Sequence, residues 1–207
     1  MIGGHTTNNA QGISVGFNSF GSTLVGSAAR AIIRGNYIGL RADGAGAIPN
    51  GNGIHVSAPD VRIGGTTAGD RNVISGNLQN GVSSFAAVPF NSNTPVAYPT
   101  GLIVQGNYIG TSVDGLSALG NGSTGINVSG ANSIIGGTTG VTIRGACTGA
   151  CNLVSGNGQQ GITANFAFNF TNGTVYGSAT GTTIAGNYVG LNVLARSRSP
   201  TLATASA

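Results

Sequence analysis

Three copies of one block run through the chain, and self-similarity of this kind decides the architecture before any local propensity does. The marker GNYIG or GNYVG stands at 35–39, 106–110 and 186–190, so its asparagine recurs as Asn36, Asn107 and Asn187, with spacings of 71 and 80. A second marker, IGG followed by TT or HT, begins at Ile2, Ile63 and Ile135. N-[VL]-[IV]-S-G-N fills 72–77 and 152–157, and a Gly-apolar pair opens the next apolar stretch at Gly12, Gly81 and Gly161. GIHVS at 53–57 returns as GINVS at 125–129. Length variation falls in one connection. From the second glycine of IGG to the Gly-apolar pair the copies count 8, 16 and 24 residues, whereas from that pair to the GNY asparagine they count 24, 26 and 26. A solenoid tolerates insertions of this kind while its strands keep their register.

The apolar stretches are short and alternate. In NVISGN, Val73 and Ser75 share one face while Ile74 and Gly76 share the other, the period of a half-buried strand. Such strands cannot bury an apolar side alone, so successive coils must stack. A block of 71 residues exceeds the roughly 20–50-residue period of a single repeat, which predicts two coils per block and about five coils in all. Composition agrees. Gly contributes 38 residues and Asn 22, Val plus Ile (33) outnumber Leu (10) threefold, and only 12 residues are charged, eight Arg and four Asp. Long helices are excluded, since glycine costs about 1 kcal/mol per helical position and Glu and Lys are missing. Gly-Asn at strand ends supplies residues that accept left-handed backbone at a corner. Asn36, Asn107 and Asn187 are expected to superpose in one stack, and Asn77 with Asn157 in another, their amides bonding along the axis. The repeat domain is read as 1–194 and the segment 195–207 as an irregular tail.

The blocks GNYIGxxxDGxxAxxNGxxGIxVS and IGGTTAGxRNVISGNxxxGV resemble the Asn/Gly-rich repeats of bacterial secreted and cell-surface right-handed parallel β-helix proteins, which share the pectin lyase-like superfamily architecture. The resemblance spans about residues 1–192 and implies an all-β solenoid, secretion or surface display, and a role as adhesin, carbohydrate binder, lyase or hydrolase. Both chain ends fall inside the repeat without a cap, so flanking repeats or caps of a longer array are expected. The chain as it stands shows neither a signal segment nor an apolar run of membrane-spanning length. Two cysteines, Cys147 and Cys151, lie in GACTGAC within the longest insertion. A zinc site needs about four ligands, and His5 and His55 fall at unrelated repeat positions. A local Cys147–Cys151 disulfide is therefore predicted, which fits an oxidising compartment.

Chemistry is sparse in this sequence. The net charge of +4 comes from scattered arginines with no basic stripe, so nucleic acid is excluded as a partner. Enzymes of the resembled superfamily that act on acidic polysaccharides need clustered carboxylates for Ca²⁺ or acid/base work, and glycoside hydrolysis needs two facing carboxyl groups about 5–10 Å apart. Here Asp43 and Asp114 share one repeat position, each as Asp-Gly. They read first as turn residues and second as a stacked pair for a cation. Asp60 reads as a turn residue and Asp70-Arg71 as a solvated pair. His55 reads as an exposed polar position on its strand. No catalytic residue, metal site or cofactor is predicted. A polysaccharide lyase or hydrolase remains the rival to a structural or adhesive segment.

One residue type is placed non-randomly. All seven phenylalanines fall between the Gly-apolar pair and the GNY marker: Phe17 and Phe20, Phe85 and Phe90, and Phe166, Phe168 and Phe170, joined by Tyr98 and Tyr176. The segment recurs once per block, so these loops should leave one side of the solenoid. Aromatic rings beside Asn, Ser and Thr suit sugar stacking or a protein interface. An extracellular glycan or a surface protein is the partner this predicts. The competing reading has the loops folding back to pack on the coil.

Overall fold

The computed structural model describes residues 11–20, 23–86, 98–141, 145–168 and 175–192, without the side chains of 17–26 and 166–177. Within these the chain forms a right-handed parallel β-helix of five coils, each contributing one strand to each of three parallel sheets. Sheet 1 contains β1 (Gln11–Val15), β6 (Asn52–Val56), β9 (Val82–Ser84), β12 (Ile126–Val128) and β15 (Ile162–Ala164). Sheet 2 contains β4 (Ile32–Ile33), β7 (Arg62–Gly64), β10 (Ile103–Gln105), β13 (Ile134–Gly136) and β18 (Thr183–Ala185). Sheet 3 contains β5 (Tyr37–Ile38), β8 (Val73–Ile74), β11 (Tyr108–Ile109), β14 (Leu153–Val154) and β19 (Tyr188–Val189). The only helical turn among the described residues is a three-residue 3₁₀ segment, Ala68–Asp70.

Register makes the core. Ile13, Ile54, Val82, Ile126 and Ile162 lie side by side on sheet 1. Ile33, Ile63, Val104, Ile135 and Ile184 do so on sheet 2, and Ile38, Ile74, Ile109, Val154 and Val189 on sheet 3. These three files point inward and most of their members are buried, with Val61 and Leu102 closing the corner between sheets 1 and 2. β-branched side chains suit stacking on pleated strands, and each full burial contributes about 1.5–3 kcal/mol before entropy is charged.

The two coils of each block differ in where they carry their loops. In the first and fifth coils the passage from sheet 1 to sheet 2 holds an antiparallel hairpin, β2 (Phe17–Phe20) with β3 (Thr23–Ser27), and β16 (Phe166–Phe168) with β17 (Val175–Ser178). The third coil carries its insertion, 85–102, at the same passage. In the second and fourth coils the long connection lies instead between sheets 2 and 3, at 65–72 and 137–152. This explains the sequence counts, because the second of these loops is the longer by eight residues.

The outer side of sheet 3 is also apolar. Tyr37, Val73, Tyr108, Leu153 and Tyr188 form a file in register. Leu40, Val113, Leu119, Val141 and the cysteines pack over it as a second cluster. Cys147 and Cys151 form a disulfide with Cα atoms 5.3 Å apart, both buried, and the Tyr188 hydroxyl donates to Gly145 O at 2.9 Å. The Arg71 guanidinium sits 4.0 Å above the Tyr108 ring. Burial raises the Tyr108 hydroxyl pKa above its ordinary value.

Candidate functional site

Sheet 1 presents an outward row that is polar on every rung: Ser14, His55, Ser83, Asn127 and Thr163. The hairpins and the third-coil insertion leave the sheet at its end, immediately after β1, β9 and β15. Phe85 is the first residue after β9, anchored by its backbone N–H on Val56 O at 3.1 Å. Its ring lies back across the neighbouring strand, 6.3 Å from the His55 ring with 22° between the planes. His55 Nδ1 lies 3.2 Å from Ser83 Oγ. Ser83 itself is buried and its hydroxyl also reaches Ile54 O.

His55 therefore departs from the sequence reading, which has it as an exposed polar strand position. It is half-buried, because the strand end that follows β9 supplies Phe85 as a cover. Desolvation by that cover lowers its pKa below the ordinary histidine value.

Among the aromatic positions expected to bind, Phe85 and Tyr98 have described side chains, and they differ. Phe85 is half-buried over the sheet, whereas Tyr98 is 42% exposed where the insertion returns to sheet 2. Phe17 and Phe20 fall on β2, with Phe17 opposite Ser27 and Phe20 opposite Thr23. Phe166 and Phe168 fall on β16, opposite Ser178 and Val175, and Tyr176 falls on β17. The side chains of these five, and the whole of Phe90, Phe170 and His5, lie outside the described residues.

Three of the four carboxylates are engaged by groups of their own turns. Asp43 Oδ1 accepts the Ala45 N–H at 3.0 Å, with Arg41 Nε 3.5 Å from Oδ2. Asp114 Oδ1 accepts the Ser112 hydroxyl and the Leu116 N–H, which hold its pKa below the usual carboxylate value, the hydroxyl chiefly. The two Asp-Gly loops pack together with Gly44 against Val113. Asp60 occupies a left-handed turn with φ 58°. Asp70 takes the Thr67 hydroxyl at 2.7 Å and the Arg34 guanidinium at 3.2 Å, and both lower its pKa, the hydroxyl more. Among the described residues no three His, Cys, Asp or Glu side chains gather where a metal ion would sit, and no helix is long and apolar enough to cross a membrane.

The asparagine stacks are denser than the sequence reading has them. Asn36, Asn107 and Asn187 share one file, but Asn72 and Asn152 occupy the rungs between them. Nδ2-to-Oδ1 bonds run along the file at 3.0, 2.9, 3.1 and 2.9 Å. Asn77 and Asn157 likewise belong to a file of four with Asn50 and Asn121, bonded at 2.9, 2.8 and 2.8 Å. The signal that finds the missing rungs is N-[YVL]-[IV]-[GS], present at 36, 72, 107, 152 and 187. No protein-family model, curated protein or solved structure matches this chain.

Proposed function

We propose that the chain is a non-catalytic, adhesive β-helix segment of a secreted or cell-surface protein of pectin lyase-like architecture, and that it holds an extended glycan along the outward row of sheet 1. The observation that carries this reading is the row itself. It is polar at every rung and presents hydroxyl, imidazole and amide groups on four of the five, Ser83 being buried. The Phe85 ring partly roofs His55, and the aromatic-rich insertions of the first, third and fifth coils all arise beside the row. Successive insertions stand two coils apart, roughly 10 Å at the inter-strand spacing of a sheet, which suits a linear polymer better than a small molecule. Stacking and neutral hydrogen bonds would then supply the affinity, so binding should depend weakly on salt, unlike a contact driven by phosphate charge. The buried disulfide is in keeping with an oxidising compartment.

The rival reading, a polysaccharide lyase or glycoside hydrolase, draws on the 3.2 Å contact between His55 and Ser83. Against it, Ser83 is 1% exposed and the row contains no carboxylate for acid/base work. A glycan array read with wild type and with Phe85→Ala plus Asn127→Ala tests the proposal. Loss of at least tenfold in affinity for a retained glycan supports it, and full retention overturns it. Incubation with pectins, alginates and neutral glycans, followed by assays for reducing ends and unsaturated products, separates the two readings. Sustained turnover would establish the enzyme.

A further inference from the structure

The three outward faces of the helix are treated differently by the sequence. On sheet 1 every outward residue is polar. On sheet 3 the outward file is apolar and covered by loops of this chain. On sheet 2 the outward file reads Ile32, Arg62, Ile103, Ile134 and Thr183 in register, and it stays open. Ile32 is 61% and Ile134 40% exposed, with Ile103 half-buried between them. Isolated exposed isoleucines need no explanation. Three on one file, on a solenoid that elsewhere either covers or polarises its outward positions, mark an uncovered interaction face.

Charge says what covers it. A groove of about 380 Å³ lies along this file, lined by Arg30, Ile32, Asp60, Arg62, Gly101 and Ile103. Arg30, Asp60 and Gly101 stack at the preceding turn with φ of 63°, 58° and 68°, joined by main-chain bonds from Arg30 N–H to Pro59 O and from Asp60 N–H to Thr100 O. The Asp60 carboxylate leans over Gly101, where a Cβ would meet Oδ1 at 2.6 Å, so it is turned toward the third coil, away from Arg30 in the first. The ion pairs among the described residues are Arg34–Asp70 and Arg41–Asp43. Arg30 and Arg62, both exposed, therefore face the groove with no ion-pair partner among those residues. A guanidinium offers a planar fork matched to a carboxylate.

We propose that the outward face of sheet 2 docks an extended peptide segment of a partner protein in which a run of acidic residues is followed by a run of branched apolar residues. Its carboxylates pair with Arg30 and Arg62, and its apolar side chains lie on Ile103 and Ile134. Isoleucine offers no flat face for a sugar ring, which favours a peptide over a glycan on this side. Ile32 to Ile134 spans three rungs, about 14 Å, which an extended peptide covers in four or five residues at about 3.3 Å each. This site is separate from the sheet 1 row and does not depend on the glycan reading.

The test is fluorescence anisotropy with the full chain and a labelled octapeptide of four glutamates followed by four valines, with a lysine–valine octapeptide of the same block pattern and polyglutamate as controls. Saturable binding of the glutamate–valine peptide is expected, weakened by added salt. It should fall about tenfold, equivalent to about 1.4 kcal/mol, in Arg62→Gln and again in Ile134→Thr, and remain unchanged in Phe85→Ala. Both tested positions point outward on different rungs, so loss of fold in one variant leaves the other to read. Absence of saturable binding, equal binding of either control peptide, unchanged affinity in both folded variants, or displacement of the peptide by a neutral glycan such as dextran would each overturn the proposal.

Discussion

Asn72 donates from Nδ2 to Oδ1 of Asn107 at 2.9 Å, and its backbone N–H reaches the same oxygen at 3.2 Å. Asn107 repeats both bonds toward Asn152 and donates further to Ile63 O and Gln105 O. Each amide thus locks its own corner and the next coil together inside a buried file. Replacing Asn107 with Ala strands two N–H donors of Asn72 and takes away the side-chain donor on the Ile63 carbonyl. A net bond contributes about 0.5–1.5 kcal/mol and a stranded buried group costs about 1–3 kcal/mol. Asn107→Ala should therefore lose about 3–4 kcal/mol in a urea melt. Ser117→Ala, on an exposed loop, should stay within about 0.5 kcal/mol of wild type. Equal midpoints for the two variants would deny the ladder its stabilising role.

The coil count and the inward files were legible in the sequence because they rest on periodicity alone. Ile54, Ile126 and their relatives follow a glycine at a fixed offset, and alternation assigns them a face. The ladder was half legible, since GNY and SGN look like different motifs although Asn36 and Asn72 begin equivalent strands. Sheet 3 resists this approach. Tyr37 and Ile38 are both apolar, and a two-residue run carries no period to say which side faces in. The candidate site was least legible, because the Phe85 and His55 rings meet across two coils and only stacking of the coils brings them together. The outward file of sheet 2 joins residues about 30–50 apart in sequence, brought side by side only by stacking.

Glycine at the sharp corner gives a second stability test. Gly106 has φ 69° and a Cβ there would lie 2.0 Å from Gly65 O. Left-handed backbone costs a non-glycine residue about 1–2 kcal/mol before the clash is added, so Gly106→Ala should lose more than about 2 kcal/mol. Gly69 lies in the exposed 3₁₀ turn Ala68–Asp70 with nothing within 4 Å of its Cβ position and no left-handed φ. Gly69→Ala should be neutral or slightly stabilising. Thermal melts of the two variants side by side check this, and similar shifts for both would contradict the corner geometry.

The disulfide holds the 137–152 loop over Leu153 and Tyr188. Closing so short a loop restricts the unfolded chain by about 2 kcal/mol in the chain-entropy model. Cys147→Ala plus Cys151→Ala should cost at least that, since both sulfurs are buried against the sheet 3 file. The loss should be local. Amide exchange should quicken at Leu153 and Tyr188, where the loop covers the sheet, while Ile54 and Ile63 in the second coil keep their protection. Uniform acceleration across all five coils would show that the loop stabilises the whole solenoid cooperatively.

Acid should act first through His55. Its folded pKa lies below the ordinary value of 6.5 because Phe85 and the sheet surface desolvate the ring. The unfolded chain therefore takes up the proton more readily than the native one. Stability is full above pH 6.5, falls as pH drops through that value, and levels off once pH is below the folded pKa. Asp70 and Asp114 also have lowered pKa values, but their contribution is lost only below the ordinary carboxylate range, in a separate and more acidic window. Urea melts between pH 8 and pH 4.5 should show the midpoint falling in wild type. In His55→Gln, which keeps a polar side chain beside Ser83 without a titrating ring, that fall should disappear while any loss below pH 4 remains. A variant that follows the wild-type curve between pH 7 and pH 5 would remove His55 as its cause.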